Sequence, residues 1–315
     1  MKAIAMALAL GLAAPAAHGQ ESPAAASVGA VLPADVLEAA TALRAELDEL
    51  ARLLGGDDSV ASGVHSEGAA PREVWFQARG VYRIVDRVAV QRTGLTAEPP
   101  ALPSRDDLRP ADVLAAVEAT RARLRLLAHD LGLDSHPASV PPPRTTRPDQ
   151  VLEALSDCLA QAGTLLRRPV DRADVHHAVT RSVALTARLL GQYPGSIRVA
   201  SAPALREGVV DADIHRALAS VATSLAPLLD VAGGTAGALS FDTAGPVADL
   251  VLAQAIEAEL AWLLLRAAPE EQPPAPLPVD AVDAATLDAR ITLLALQIEQ
   301  LTARARADGA PLRGR

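Results

Sequence analysis

Apolar residues recur along this chain at alternating steps of four and three, the pattern of amphipathic helices. From Pro71 to Gly94 the run is Val74, Ala78, Val81, Val85 and Val88, all on one helical face. The same template fits seven other stretches. Val36, Val74, Val113 and Val151 start four of them, at spacings of 38, 39 and 38 residues. Val175, Ile214, Val251 and Leu287 start four more, spaced 39, 37 and 36, with a step of only 24 between the sets. At each start and at 4, 7, 11 and 14 residues beyond it, only Thr120, Ser182 and Thr186 among the forty positions are polar. A mean spacing of 3.5 residues favours nearly aligned, coiled-coil-like packing.

The helix ends are legible too. Pro33, Pro71, Pro110 and Pro148 each precede an anchor valine by three residues, and Asp35, Glu73, Asp112 and Gln150 precede it directly. Proline suits the first helical position, where its missing N–H would be unpaired anyway. A carboxylate in the first turn complements the positive end of the helix dipole. Gly55, Gly94, Gly132, Gly191 and Gly233 mark C-terminal stops. Helices are predicted at 33–54, 71–93, 110–131, 148–168, 172–191, 211–230, 246–267 and 281–307, with Pro227 kinking the sixth.

These elements predict an all-α protein: eight amphipathic helices of a common helix-plus-linker repeat of about 38 residues, packed as two four-helix halves, bundle or solenoid-like. The expected organisation is a signal peptide at 1–19, a flexible leader at 20–32, a first half at 33–168, a second half at 169–308 and a tail at 309–315. Most linkers run to about fifteen residues, which can reach about 50 Å when extended. A helix of 21 residues is about 32 Å long, so such a strap could return along its helix and leave successive helices parallel. Up-and-down helices with loose overhead loops are the alternative, and the preferred one because antiparallel neighbours are commoner in bundles. The short link at Arg167–Asp171 must make an antiparallel hairpin. Tetratricopeptide, ankyrin and HEAT units place two helices where this chain places one.

Composition supports helix: half the residues are apolar, only 2% are aromatic, and 24 prolines punctuate the stretches between helices. Lys2, the apolar run Ala3–Leu12 and the small residues of Ala17-His18-Gly19 suggest a cleaved secretory signal and a periplasmic or secreted location. The other long apolar run, Val247–Ala268, carries Asp249, Gln254, Glu257, Glu259 and Arg266, and reads as a buried soluble helix instead of a membrane span. A net charge of −9 argues against a nucleic-acid partner. Cys158, the single cysteine, rules out an internal disulfide and occupies a core position of the template.

Two constellations are candidates for chemistry. Arg72, Arg79, Arg83 and Arg87 form a stripe flanked by Trp75 and Tyr82, a candidate partner-binding surface, since guanidinium groups fork carboxylates and stack on aromatic rings. The bland reading is a solvated face paired to nearby acids, with Asp86 among them. Ala173-Asp174-Val175-His176 recurs as Ala212-Asp213-Ile214-His215, so Asp174, His176, His177, Asp213 and His215 are weak candidate metal ligands. The bland reading is two similar helix starts with exposed histidines. Glu257 and Glu259 lie two apart on a helix and cannot face one another. No nucleophile elbow, P-loop, dinucleotide fingerprint or zinc-protease motif occurs. The expectation is a non-enzymatic helical scaffold that binds another macromolecule, an unknown protein or envelope component, with no cofactor. The alternative is a bundle that binds a small ligand or a divalent metal.

Overall fold

The computed structural model describes residues 30–56, 60–101, 107–133, 146–196, 201, 203–235, 237–271, 281–308 and 312. The expected signal peptide, most of the leader and most of the C-terminal tail lie outside them. Residues 31–315 form one unit. Its helices are α1 (Pro33–Leu53), α2 (Pro71–Thr93), α3 (Pro110–Asp130), α4 (Pro148–Thr164), α5 (Arg172–Gly191), α6 (Asp211–Ser224), α7 (Ala226–Ala232), α8 (Pro246–Ala267) and α9 (Ala284–Ala307). The fold is mostly helical, as the apolar pattern predicts. The sixth stretch breaks at Leu225, just before Pro227, into α6 and α7. Gly55, Gly94, Gly132 and Gly233 adopt positive φ after their helices, whereas Gly191 stays inside α5.

The inward template is nearly complete. Of its forty positions all are buried except Ala255 and Leu265, both on α8 and both half-exposed. The three polar members are fully buried and answer their hydroxyls locally. Thr120 donates to Ala116 O, Ser182 to Ala178 O and Thr186 to Ser182 O, each one turn back. Cys158 is fully buried in the same core, where desolvation pushes its thiol well above its ordinary range.

Helix polarity differs from the preferred expectation. Pro33, Val36, Pro71, Val74, Pro110, Val113, Pro148 and Val151 line one small apolar hollow, so α1 to α4 all begin at the same end and run parallel. Around this group each of α1 and α2 packs on both α3 and α4. At each start the third-position side chain accepts the backbone N–H that precedes the helix: Asp35 from Leu32, Glu73 from Ala70, Asp112 from Arg109, Gln150 from Arg147. The starts of α5, α6, α8 and α9 are likewise tied together. Arg172 Nε donates to Asp211 at 2.8 Å, His215 meets Asp249 at 2.7 Å, and Arg206, just before α6, bonds Asp288 of α9. Arg72 at the start of α2 meets Glu259 late in α8, and Arg87 late in α2 meets Asp174 at the start of α5. The second group therefore runs opposite to the first, and the chain reverses direction between α4 and α5.

Parallel neighbours need return straps, and the linker before α2 shows how one is held. Asp149, Glu153, Asp157 and Gln161 stand four apart on α4. They accept backbone N–H groups from Ala69, Ser66, Ser62 and Val60 respectively, at 2.7, 2.9, 2.7 and 2.8 Å. This strap also contains β1 (Val64–Glu67), which pairs antiparallel with β2 (Ala238–Phe241) in the linker before α8, Val64 opposite Phe241 and Glu67 opposite Ala238. The ribbon is a small addition to the helical fold that the apolar pattern does not predict. Its strands are four residues each and half-exposed, too short for an alternation to register.

α8 sits among α2, α5 and α6 and is buried almost all round. No helix among the described residues is long and apolar enough to cross a membrane. The acids of α8 explain its composition: each faces a cation or imidazole brought by a neighbouring helix.

Candidate ligand-binding site

A cavity of about 430 Å3 lies between α6, α8 and β2. α6 contributes His215, Ala219 and Ala222, and α8 contributes Leu252, Ala255, Ile256 and Glu259, in each case one face at steps of three and four. Leu239 and Phe241 of β2 close the third side. Ala219, Thr223, Ala238 and Ser240 are exposed and form the rim, while Leu225, Leu252, Ile256, Glu73 and Glu259 are buried and form the floor. Two of the five template positions of α8 are half-exposed, and one of these, Ala255, lines this cavity.

The floor carries a carboxyl pair. Glu259 is 3% exposed, and Arg72 Nε reaches its two oxygens at 3.0 and 2.8 Å. Burial nevertheless pushes Glu259 up to about 8. The Arg72 charge works against this, while the adjoining Glu73, which shares a hydrogen bond with it, reinforces it. That shift favours the protonated form of Glu259 at neutral pH, hydrogen-bonded to Glu73. Glu73 is fixed by N–H donors from Ala70 at 2.6 Å and Gly237 at 3.2 Å. A Cβ on Gly237 would stand 3.0 Å from Glu73 Oε2, so glycine lets the linker close over the acid. Arg72 is held in turn by the Trp262 ring, 4.6 Å from its guanidinium carbon, and by Thr235 O.

At the other end stands a second polar station. His215 Nδ1 lies 2.7 Å from Asp249 Oδ1, and the Phe241 ring meets the imidazole edge-on at 5.2 Å. Burial raises the Asp249 pKa, and the His215 contact partly offsets it. Asp249 and Glu259 are ten residues apart on α8, about 15 Å at the helical rise. The cavity is therefore an apolar slot with an imidazole at one end and a carboxyl pair at the other.

The candidates from the sequence fall elsewhere, apart from Arg72 and His215. The arginine stripe is turned into the molecule. Arg72 pairs with Glu259, Arg83 Nη1 lies 3.8 Å from Glu257, and Arg87 pairs with Asp174. Trp75 and Tyr82 are buried, and Tyr82 donates its hydroxyl to Glu98 O at 3.0 Å, with burial raising its pKa. Asp86, read as part of the stripe, instead accepts from Arg123 and from the backbone N–H of Ala97. Of the partner-binding surface expected at Arg72, Trp75, Arg79, Tyr82, Arg83 and Arg87, the arginines thus face α5 and α8 inside the chain, while Trp75 and Tyr82 are buried. The metal candidates are not gathered either. Asp174 is taken by Arg87, Asp213 caps α6 and pairs with Arg216, and His215 is taken by Asp249. His176 is buried, and desolvation lowers its pKa and that of His177. Among the described residues no three His, Cys, Asp or Glu side chains gather as a metal site. Two parallel helix starts place their histidines at the same height but against different neighbours. Glu257 and Glu259 do point apart, Glu257 toward Arg181 and Glu259 toward Arg72.

Glu73, Asp249, Glu259 and Phe241 escaped notice as site residues. Glu73 looked like a helix-capping acid, and it is one. The signal for Asp249 and Glu259 was the density of acids in the apolar run of α8, and Phe241 had none. Compared with known proteins, the chain matches no protein-family model, and no curated protein or solved structure shows significant similarity to it.

Proposed function

We propose that this chain is a binding protein for a small, elongated, mostly apolar molecule that carries an amine. The observation that supports it best is the Glu73–Glu259 pair on the floor of an otherwise apolar slot. Two adjoining buried carboxyls with one arginine beside them have an acceptor site for a second cation, and an ammonium group could take the place of the Glu259 proton. The apolar walls suit an aliphatic or aromatic body, and the volume lies in the range of small-molecule sites. Binding is favoured over catalysis because the two polar stations stand too far apart to act on one bond. A scaffold that grips a macromolecule finds less support, because the arginine stripe proposed for that contact meets partners inside the chain. If the N-terminal signal acts as its residues suggest, the ligand is met in the periplasm or outside the cell.

Calorimetric titration with n-octylamine, n-octanol and n-octanoate tests this reading. Octylamine should bind with a negative heat-capacity change, octanol more weakly, and octanoate not at all. Ala255→Phe should fill the slot and abolish binding while the helical circular dichroism is kept. Equal uptake of the three probes, or undiminished octylamine binding by the filled variant, would overturn it.

A further inference from the structure

Three arginines converge on one glutamate where α2 meets α5 and α8. Glu257 is 1% exposed; Arg181 Nη2 lies 2.7 Å from it and Arg83 Nη1 3.8 Å. Arg79, one turn before Arg83 on α2, feels Arg83, Arg181 and Glu257 but is paired with no described carboxylate. Its closest aromatic neighbour is Trp75, with the ring centroid 5.6 Å from the guanidinium carbon. Arg79 Nε, Arg83 Nη2 and Arg181 Nε are all shielded from solvent and make no hydrogen bond among the described residues, nor do the two Glu257 oxygens, so donors outnumber the single carboxylate. Three guanidinium charges against one carboxylate leave an excess of two positive charges inside a protein whose net charge is −9. The next acid, Asp174, is already held by Arg87. Such an excess is costly unless something neutralises it.

We propose that Arg79, Arg83 and Arg181 form a binding site for a small tetrahedral oxyanion of the phosphate or sulfate class, which closes the seam between α2 and α5. Guanidinium groups present N–H donors in planar forks that match oxyanion edges, and here they come from two helices at once. The Arg83 side chain, 27% exposed, gives the ion a way in from solvent. Burial, with Arg83 and Arg181 beside it, lowers the Arg79 pKa to about 9 despite Glu257, as expected of a guanidinium that lacks a counter-charge. This site is separate from the slot under α6, so either assignment can fail without the other.

The test is thermal unfolding in inorganic phosphate, with sodium chloride at matched ionic strength as reference. Phosphate should raise the midpoint as the logarithm of its concentration above its Kd, by roughly 5 °C at a hundredfold excess. Arg79→Gln should lose that response and be at least as stable as the parent without phosphate, since it removes an uncompensated charge. Arg87→Gln, which loses the bonds to Asp174 and to Arg168 O but leaves Arg79, Arg83 and Arg181 in place, should keep the response. A parent midpoint no more sensitive to phosphate than to chloride, or an Arg79→Gln protein that responds like the parent, would overturn the proposal. If Arg79→Gln does not fold, titration calorimetry of the parent decides: one saturable phosphate site supports the proposal and no heat of binding overturns it.

Discussion

Asp157 Oδ1 accepts two hydrogen bonds from Ser62, one from the backbone N–H at 2.7 Å and one from the hydroxyl at 2.8 Å. The pair fastens the strap before α2 to the flank of α4. The fastening matters because parallel helices force each linker to travel back along the bundle. Asp157→Ala leaves a half-buried backbone donor unpaired and should cost about 1–3 kcal/mol. Ser62→Ala removes only the hydroxyl bond and should cost less than about 1 kcal/mol, because the backbone bond survives. Urea unfolding of the two variants measures both. If Asp157→Ala cost no more than Ser62→Ala, the strap would not be anchored there.

Glu259 gives stability a pH dependence of unusual sign. Its folded pKa, about 8, lies above the carboxylate value of 4.5 used for the exposed group. Between those values the folded state holds the proton that the unfolded chain has released. The contribution is therefore full below about pH 4.5 and is lost as pH rises through about 8, a change on the order of a few kcal/mol. Paired carboxylates elsewhere work in the opposite sense at lower pH, so the informative quantity is the difference from a variant. Glu259→Gln should unfold with a midpoint nearly flat between pH 6 and 9, while the parent loses stability over that range. Parallel curves for the two proteins would show that Glu259 stays ionised on the Arg72 fork.

The architecture was legible wherever one residue type can do only one thing. Pro33, Pro71, Pro110 and Pro148 opened helices at the residues expected, and the valine–leucine template turned inward almost without exception. Helix direction was not legible, because an inward stripe looks the same on a helix running either way. The clue was the polar set Asp149, Glu153, Asp157 and Gln161, whose steps of four resemble a solvated face but make a rail for a strap. The slot was hidden for a related reason. Glu73 caps a helix and lines a cavity with the same carboxyl, and only the first role has a local signature. Gly80 likewise reads as a weak point in α2. In the fold a Cβ there would stand 2.5 Å from Gln254 Oε1 of α8, so the glycine marks where two helices approach closely.

Helix polarity can be measured directly with spin labels on cysteines placed at Pro71 and Ala111, the first residue of α2 and the second of α3. These helices pack on one another, and their starts share the proline-lined hollow. Neighbouring helices lie 8–10 Å apart, so with the label arms the separation should be within about 20 Å. In an up-and-down order these successive helices, of 23 and 21 residues, would have their starts at opposite ends, about 32 Å apart before the arms are added. The native Cys158 thiol is buried and shifted well up, so it should not compete for label. A single short distance supports parallel helices held by return straps. A distribution centred beyond about 30 Å would reverse the polarity of one helix, and with it the path of every linker in the first group.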